Sequence, residues 1–284
     1  MAAETNDRDD SKLKIKDLQS SALKVEDLNA ASPFGWTSAS RSHPGRVREI
    51  NEDACLDQPD HELWAVADGI GGHAMGEFAS RLAVRSLMDL PTSASLEPRV
   101  NAARERLQEA NRFLRAEARQ RGTPLIGTTV ATLLAAGRHC ACLWAGDSRI
   151  YLYRDGRLRQ LTRDHSHLEA ARSRHVSSAD DTLVLPRANL ITRGLGCSDT
   201  LELDQVAIEL LDGDIFLLCS DGLSNEVSAL SIEQALSSCM CNLASNTLID
   251  MALQRDARDN ITAVVVSAED LSSPDRTILR AAPN

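Results

Sequence analysis

Four aspartates in this sequence lie at the ends of apolar segments that have the composition of buried strands. They are Asp68 after residues 64–67, Asp147 after residues 143–146, Asp221 after residues 217–220, and Asp259 shortly before residues 261–265. A single aspartate in such a place usually caps a turn. Four carboxylates at one place repel one another, so a shared site requires protons or hard divalent cations. The pattern therefore predicts a cation site built from carboxylates.

The expected ligands are oxygen atoms, without a histidine or thiolate partner, and such a set favours Mg²⁺ or Mn²⁺ over zinc. Two such ions close together polarise a phosphoryl group and convert a bound water into a nucleophile. Because that water attacks directly, no side-chain nucleophile is required. The sequence accordingly contains no Gly-x-Ser-x-Gly segment and no Cys-x5-Arg segment.

Basic residues near these acids are candidates for binding and protonating a phosphate ester. Arg48 lies five residues before Asp53, and its planar guanidinium matches two phosphate oxygens. Arg46 is the alternative, and an isolated arginine is also commonly a solvated surface group. His73 follows Asp68 closely and could protonate a leaving alkoxide, because histidine titrates near neutral pH. The alternative for His73 is a helix-start residue that contacts only solvent.

These residues need a scaffold, and the apolar segments predict its strands. We expect strands at residues 63–67, 128–136, 140–145, 150–154, 203–210, 215–220 and 261–267. We expect helices at residues 76–90 and 98–121 and between residues 231 and 255. Asp155-Gly156 predicts a β-hairpin. Since the helices form two blocks rather than following every strand, the pattern favours an antiparallel α+β sandwich.

Composition excludes several other classes of protein. The chain has 284 residues, of which 43% are hydrophobic, and its net charge is −10. This acidity argues against a nucleic-acid partner, because phosphate backbones select basic surfaces. No apolar run approaches the length of a membrane span, and the first residues do not resemble a secretory signal. We therefore expect a cytoplasmic protein with no membrane partner.

The cysteines agree with that location. Most lie inside apolar segments, so we expect buried reduced thiols. The two Cys-x-Cys pairs have a shorter spacing than structural zinc sites normally use. The seven cysteines are Cys55, Cys140, Cys142, Cys197, Cys219, Cys239 and Cys241.

Seven short motifs, in this order, resemble those of the metal-dependent protein phosphatase 2C family, and in particular its compact bacterial branch. Each motif is weak alone, but the ordered set is specific, and it spans about residues 34–268. The motifs are Arg48-x-x-Asn51-Glu52-Asp53, Asp68-Gly69-Ile70-Gly71-Gly72-His73, Gly127-Thr128-Thr129, Gly146-Asp147-Ser148-Arg149, Leu161-Thr162-x-Asp164-His165-Ser166, Ser220-Asp221-Gly222-Leu223 and Asp259-Asn260-x-Thr262.

The resemblance implies a four-layer α-β-β-α sandwich of two antiparallel sheets, flanked by helix pairs, with the metal site at one edge. It also implies two Mn²⁺ or Mg²⁺ ions and a weaker third one. The implied roles are Asp68 as bridging ligand, Asp221 and Asp259 on the first ion, the Gly69 carbonyl and a water held by Asp53 on the second, Asp147 with Asp221 on the third, Arg48 on the substrate phosphate, His73 as general acid, and Glu52 and Asn260 as neighbours of these ligands.

The resemblance further implies a protein serine/threonine phosphatase that opposes a bacterial serine/threonine kinase. We expect a monomer with a flexible tail at residues 1–32, a phosphatase domain at residues 33–270 with a flap at about 166–190, and a second tail at residues 271–284. Two alternatives remain open. One is a two-metal phosphohydrolase of small phosphate esters. The other is a catalytically weak signalling or scaffold relative, although every expected acid is present.

Overall fold

The computed structural model describes residues 33–70, 74–166, 169, 191–238 and 240–272. The expected tail at residues 1–32, most of the expected flap and residues 273–284 lie outside these ranges. The strands are β1 (Phe34–His43), β2 (Asp53–Gln58), β3 (Leu63–Ile70), β4 (Gly127–Thr128), β5 (Val130–Ala136), β6 (His139–Ala145), β7 (Arg149–Arg154), β8 (Arg157–Gln160), β9 (Asp204–Glu209), β10 (Ile215–Cys219) and β11 (Ile261–Asp270). The helices are α1 (Ala74–Leu87), α2 (Leu96–Arg121), α3 (Asp221–Ser224), α4 (Ala229–Leu236) and α5 (Cys241–Leu253).

The strands form two antiparallel sheets. The first sheet has the order β1-β11-β10-β7-β8, and the second has the order β2-β3-β5-β6-β9 with β4 paired to β3. Strand β11 is central to the first sheet, since it pairs with β1 on one side and β10 on the other. The second sheet is held together mainly by the long pairings of β5 and β6.

Three apolar layers separate the sheets and helices. Between the sheets, alternate side chains such as Trp64, Phe216 and Val264 are fully buried. The outer face of the second sheet packs on α1 and α2, whereas the outer face of the first sheet packs on the three later helices. Interior strands such as β5 and β10 are buried on both faces, with alternate side chains on opposite sides. The predicted four-layer sandwich is confirmed.

Several local predictions are also confirmed. Asp155 and Gly156 both have positive φ angles, 52° and 75°, as a two-residue hairpin turn requires. Helix α2 ends at Arg121, as expected, but begins at Leu96 rather than at Pro98. Pro98 is tolerated there because the N–H groups of a first helical turn have no partner within the helix.

Two strands were not indicated by the sequence. Strand β1 carries small polar residues at alternate positions and lies at a sheet edge, so it has no apolar run to reveal it. Strand β2 begins at Asp53 and is likewise only partly buried. Strand β3 also continues to Ile70, past the stop that we expected at Asp68, because β4 pairs with its last two residues.

Within the described ranges, no helix is long and apolar enough to cross a membrane.

Candidate metal centre

Five aspartates reach the same edge of the sandwich from different elements. In the second sheet, Asp53 and Asp68 face each other as cross-strand partners of β2 and β3. The turn between β6 and β7 carries Asp147, and the first turn of α3 after β10 carries Asp221. Asp259 lies just before β11. The strand ends of both sheets therefore contribute to one acidic cluster.

Asp53 connects the two sheets through hydrogen bonds. Its Oδ2 accepts from the Ser220 hydroxyl at 2.8 Å and from the Thr262 hydroxyl at 2.6 Å. Ser220 directly follows β10 and Thr262 lies in β11, so both donors come from the first sheet. Its other oxygen, Oδ1, is buried and has no hydrogen-bond partner. Buried polar atoms normally have a partner, so this oxygen is available to a cation or a water held by one.

The electrostatics of the cluster are those of crowded carboxylates. Burial raises the pKa of Asp68 well above its usual range, and repulsion from Asp53, Asp221, Asp147 and Asp259 adds to the rise. Burial, together with repulsion from Asp221 and Asp259, raises the pKa of Asp53 to about 7 despite its two hydroxyl donors. Burial and the nearby Asp221 raise the pKa of Asp147 to about 7. Such a cluster is stabilised by protons or by cations.

The donor set fits hard divalent cations. Buried oxygens Oδ1 of Asp53 and Oδ1 of Asp147 have no hydrogen-bond partner, and carboxylate oxygens are the ligands that Mg²⁺ and Mn²⁺ prefer. Nevertheless, in the part of the chain that the structure describes, no group of three or more acidic, histidine or cysteine side chains is placed so that these side chains alone could hold a metal ion. Ions held here would also need backbone carbonyls and water. Mg²⁺ commonly binds in that way, with one or two carboxylates and several waters.

Two glycines allow backbone segments to approach closely behind the carboxylates. A Cβ atom on Gly69 would lie 2.4 Å from the backbone of Gly76 in α1, and one on Gly222 would lie 2.0 Å from the carbonyl oxygen of Asn260. Both contacts exclude any side chain at these positions. Glycine therefore lets α1 pack against the end of β3, and α3 against the start of β11. The role of the Gly69 carbonyl as a metal ligand stays a prediction.

Residues 44–52, which we call the clamp loop, connect β1 to β2 and carry both candidate arginines. Arg48 forms an ion pair with Asp259, with 3.0 Å between Nη2 and Oδ2. Arg46 instead donates to the carbonyl of Leu253 at the end of α5. The structure thus brings Arg48, rather than Arg46, to the acidic cluster.

Asn260 fixes the clamp loop to the acidic cluster. Its Oδ1 accepts from the Glu52 N–H at 2.8 Å, and its amide nitrogen donates to the carbonyls of Pro44 and Ile50, each at 2.9 Å. Asn260 and Glu52 are both buried. These two residues therefore lie next to the acids, where the sequence predicted neighbours of the ligands.

Two further residues at the site, Thr129 and Arg149, belong to the sequence motifs, but the sequence predicted no role for them. The Thr129 hydroxyl accepts from the Asp68 N–H at 2.9 Å and shares a hydrogen bond with the Ser148 hydroxyl at 2.7 Å. It thus ties Asp68 to the residue after Asp147. The only signal in the sequence was membership of Gly127-Thr128-Thr129.

Arg149 brings a positive charge to the acidic cluster. It forms a forked pair with Asp164, and this pair raises the pKa of the guanidinium even though burial lowers it. Its charge lowers the pKa values of Asp147 and Asp221, although burial keeps both above the usual range. Arg149 therefore offsets part of the repulsion among the carboxylates.

The two ends of the expected flap meet beside the acidic cluster. Ser166 and Ile191 form a β-bridge, and the Thr192 N–H donates to the His165 carbonyl at 2.7 Å. His165 also accepts at Nδ1 from the Gly146 N–H, immediately before Asp147. His73 and most of the flap lie outside the described residues, so the proposed acid role of His73 stays a prediction.

The described cysteines do not have the properties of catalytic nucleophiles. Cys55, Cys140, Cys142, Cys197 and Cys219 have free thiols, and four of the six described cysteines are buried. Burial raises the pKa values of Cys142 and Cys219 to about 12, which keeps both protonated at neutral pH. The expectation of buried reduced thiols holds for Cys140, Cys142 and Cys219. Cys241 is also buried, Cys55 and Cys197 are partly exposed, and Cys239 lies outside the described residues.

Comparison with known proteins identifies similar chains. A family model described as protein phosphatase 2C matches residues 40–255. The serine/threonine protein phosphatase PstP of Mycobacterium tuberculosis is 34% identical over 236 residues, which make up 82% of this chain and 45% of PstP. This chain thus spans about half the length of that relative. The serine/threonine phosphatase stp of Listeria monocytogenes is 34% identical over 81% of this chain and 94% of its own length.

Solved structures agree with these matches. PppA, described as a key regulatory component of T6SS in Pseudomonas aeruginosa, is 44% identical with a TM-score of 0.77 and covers 82% of this chain and 97% of its own. A catalytic domain of PstP in complex with two manganese ions is 33% identical with a TM-score of 0.74, covering 84% of this chain and 100% of its own.

Proposed function

We infer that this chain, which belongs to the protein phosphatase 2C family, is a metal-dependent phosphatase acting on phosphoserine and phosphothreonine in proteins. The observation that carries this proposal is the cluster of buried and partly buried carboxylates beside Arg48 at one edge of the sandwich. The names of the relatives PstP and stp, both serine/threonine phosphatases, support the substrate class.

In this proposal the aspartates hold two Mn²⁺ or Mg²⁺ ions and a weaker third one. When bound, the ions supply an activated water and neutralise charge on the phosphoryl group. The two manganese ions in the PstP catalytic domain support the number and type of ion. Asp68 would serve the first two ions, with Asp221 and Asp259 on one and the Gly69 carbonyl and a water held by Asp53 on the other. Asp147 with Asp221 would hold the third ion.

Arg48 is the proposed clamp for the substrate phosphate. Its ion pair with Asp259 is exposed, since 43% of the arginine side chain and 46% of the aspartate side chain are accessible. Exposed ion pairs of this kind are weak. The guanidinium can therefore turn from Asp259 to two phosphate oxygens, while Asn260 keeps the backbone of the clamp loop in place. His73 is the proposed donor of a proton to the leaving oxygen.

We also propose that the enzyme opposes a serine/threonine kinase in a regulatory pathway. The description of PppA as a regulatory component of T6SS supports secretion control as a candidate pathway. A cytoplasmic location is supported by the free thiols of Cys140, Cys142 and Cys219. The proposed oligomeric state is a monomer, which sedimentation or size-exclusion chromatography would test.

The deciding experiment measures kcat/KM of the full chain for phosphothreonine peptides, nucleotides, sugar phosphates and an aryl phosphate. We expect Mn²⁺- or Mg²⁺-dependent turnover that stops in EDTA and resists thiol reagents. Full activity in excess EDTA would contradict the metal mechanism. A higher efficiency on nucleotides or sugar phosphates would favour the phosphohydrolase of small esters, and absence of turnover on every substrate would favour the scaffold relative.

A further inference from the structure

The clamp loop exposes two aliphatic side chains that the catalytic proposal does not use. Val47 and Ile50 flank Arg48, and they are 66% and 45% exposed. Exposed aliphatic residues are common singly, but here two of them stand on either side of the proposed phosphate clamp. We call these two residues the apolar lip.

The backbone that carries the apolar lip is held firmly. Asn260 donates to the carbonyl of Ile50 itself and to that of Pro44 at the start of the loop. The Arg46 N–H donates to the carbonyl of Ala257 at 2.8 Å, and the Asn51 amide donates to the Ser42 hydroxyl at 2.8 Å. A loop with this many hydrogen bonds cannot easily fold its aliphatic side chains inward. It presents them to solvent at fixed positions.

We propose that the apolar lip binds aliphatic side chains of the phosphoprotein next to the phosphorylated residue. This inference rests on the proposed function. A peptide whose phosphate reaches Arg48 brings its next residues close to the loop residues beside Arg48, because an extended chain advances only about 3.3 Å per residue. Side chains one or two residues from the phosphoresidue are therefore within reach of Val47 or Ile50.

The chemistry of the lip favours an aliphatic occupant over a charged one. Aliphatic contact between the two chains removes apolar surface from water on both sides. The exposed carboxylate of Glu49 lies between Arg48 and Ile50, and it disfavours acidic residues next to the phosphate. The lip thus selects among phosphoproteins, whereas Arg48 recognises the phosphate common to all of them.

The test compares matched phosphothreonine peptides whose neighbouring residues are leucine or serine, on each side of the phosphothreonine in turn. The measured quantity is the ratio of kcat/KM for the leucine peptide to that for the serine peptide. For the unsubstituted protein we expect a ratio of about 10 on at least one side, arising mainly from KM. The double variant Val47→Ser with Ile50→Ser should lower this ratio to about 1.

A matched control is Leu230→Ser, because Leu230 is 64% exposed on α4 and lies outside the clamp loop. This variant should leave the ratio unchanged. Thermal unfolding of all variants checks that they remain folded, as expected for exposed positions.

Three outcomes would contradict the proposed role of the apolar lip. One is a ratio near 1 for the unsubstituted protein, and another is a ratio that the double variant does not change. The third is equal loss on both peptides and on an aryl phosphate, which would mean that the substitutions only displace Arg48. Turnover of an aryl phosphate without turnover of any phosphopeptide would instead refute the proposed function, and the lip with it.

Discussion

Asp68 carries a buried carboxylate that is surrounded by other carboxylates. Burial is the main cause of its raised pKa, and four neighbouring aspartates add to it. A carboxyl group whose pKa rises on folding destabilises the folded protein once the pH exceeds the pKa of the unfolded chain. At the scale of single residues, therefore, the chemistry proposed here comes at the expense of stability, unless cations are bound.

The substitution Asp68→Asn should separate the contribution of Asp68 to activity from its effect on stability. It removes the buried charge, so the metal-free protein should gain about 1–3 kcal/mol of unfolding free energy at pH 7.5. Phosphatase activity should fall at least about 100-fold, because the proposed bridging ligand is lost. Urea denaturation in EDTA and peptide turnover in Mn²⁺ measure the two effects. Wild-type turnover by the variant would refute the assignment of Asp68.

Asn260 acts through hydrogen bonds rather than through charge. Asn260→Ala would leave the Glu52 N–H and the carbonyls of Pro44 and Ile50 without their partner. Leaving buried groups unpaired should lower the unfolding free energy by about 1–3 kcal/mol. KM for an aryl phosphate should rise more than kcat falls, since the position of Arg48 is loosened. As a matched control, Asn242→Ala changes an exposed asparagine on α5 and should leave both constants unchanged.

At the scale of elements, turns as well as strands bring residues to the acidic cluster. The turn between β6 and β7 contains Gly146, whose φ angle of +117° brings its N–H to Nδ1 of His165. The other ring nitrogen, Nε2, lies 3.1 Å from Oδ2 of Asp204. This arrangement requires a neutral imidazole, because an N–H at Nδ1 would face the N–H of Gly146.

The surroundings of His165 lead us to expect that the unfolding free energy of the protein depends on pH. Burial lowers its pKa below the ordinary 6.5, Arg193 lowers it further, and Asp204 and Asp164 oppose this shift. Since the unfolded chain binds the proton more readily, stability contributed by His165 is present above pH 6.5 and is lost as the pH falls below it.

The comparison is with His165→Asn, in which the side-chain oxygen can still accept from the Gly146 N–H without titrating. The unfolding free energy of the unsubstituted protein should drop relative to that of the variant as the pH falls from 7.5 to 5.5. Denaturant unfolding at both pH values measures this difference. The acidic cluster titrates alike in both proteins, so parallel pH profiles would disprove the role given to His165.

At the scale of the whole molecule, the acidic cluster is a place where hydrogen bonds join the two sheets. Asp53 belongs to one sheet, yet it accepts hydrogen bonds from Ser220 and Thr262 at strand ends of the other. Cations held by Asp53, Asp68, Asp221 and Asp259 would link both sheets. Such ions would bind only the folded chain and would thus stabilise it.

Mn²⁺ should accordingly raise the melting temperature of the purified protein. At 100 times the dissociation constant, the stabilisation is about 2.7 kcal/mol, which corresponds to roughly 5–10 °C for a chain of this size. Differential scanning calorimetry with Mn²⁺, with EDTA, and with KCl at equal ionic strength measures the shift. An equal shift in KCl would show that general screening, and not a specific site, is responsible. Asp68→Asn should show a smaller shift with Mn²⁺ than the unsubstituted protein.

The sequence alone determined the chemical type of the site and the class of the fold. Asp68, Asp147, Asp221 and Asp259 stand at strand ends by local pattern, and the alternation of apolar segments is enough to predict the sandwich. These properties depend on near neighbours in the chain, so they can be read from short segments. Strand β1 was not predicted, because its pairing with the distant β11, rather than its own composition, makes it a strand.

Which side chains come into contact depends on the tertiary structure. Arg48 rather than Arg46 reaches Asp259, a residue 211 positions away in the chain, and Asn260 holds the clamp loop by three hydrogen bonds over similar separations. The sequence favoured Arg48 and left Arg46 as the alternative. The choice follows from where β11 and α5 place their carboxylate and carbonyl oxygens once the two sheets have packed, and that placement depends on the whole core.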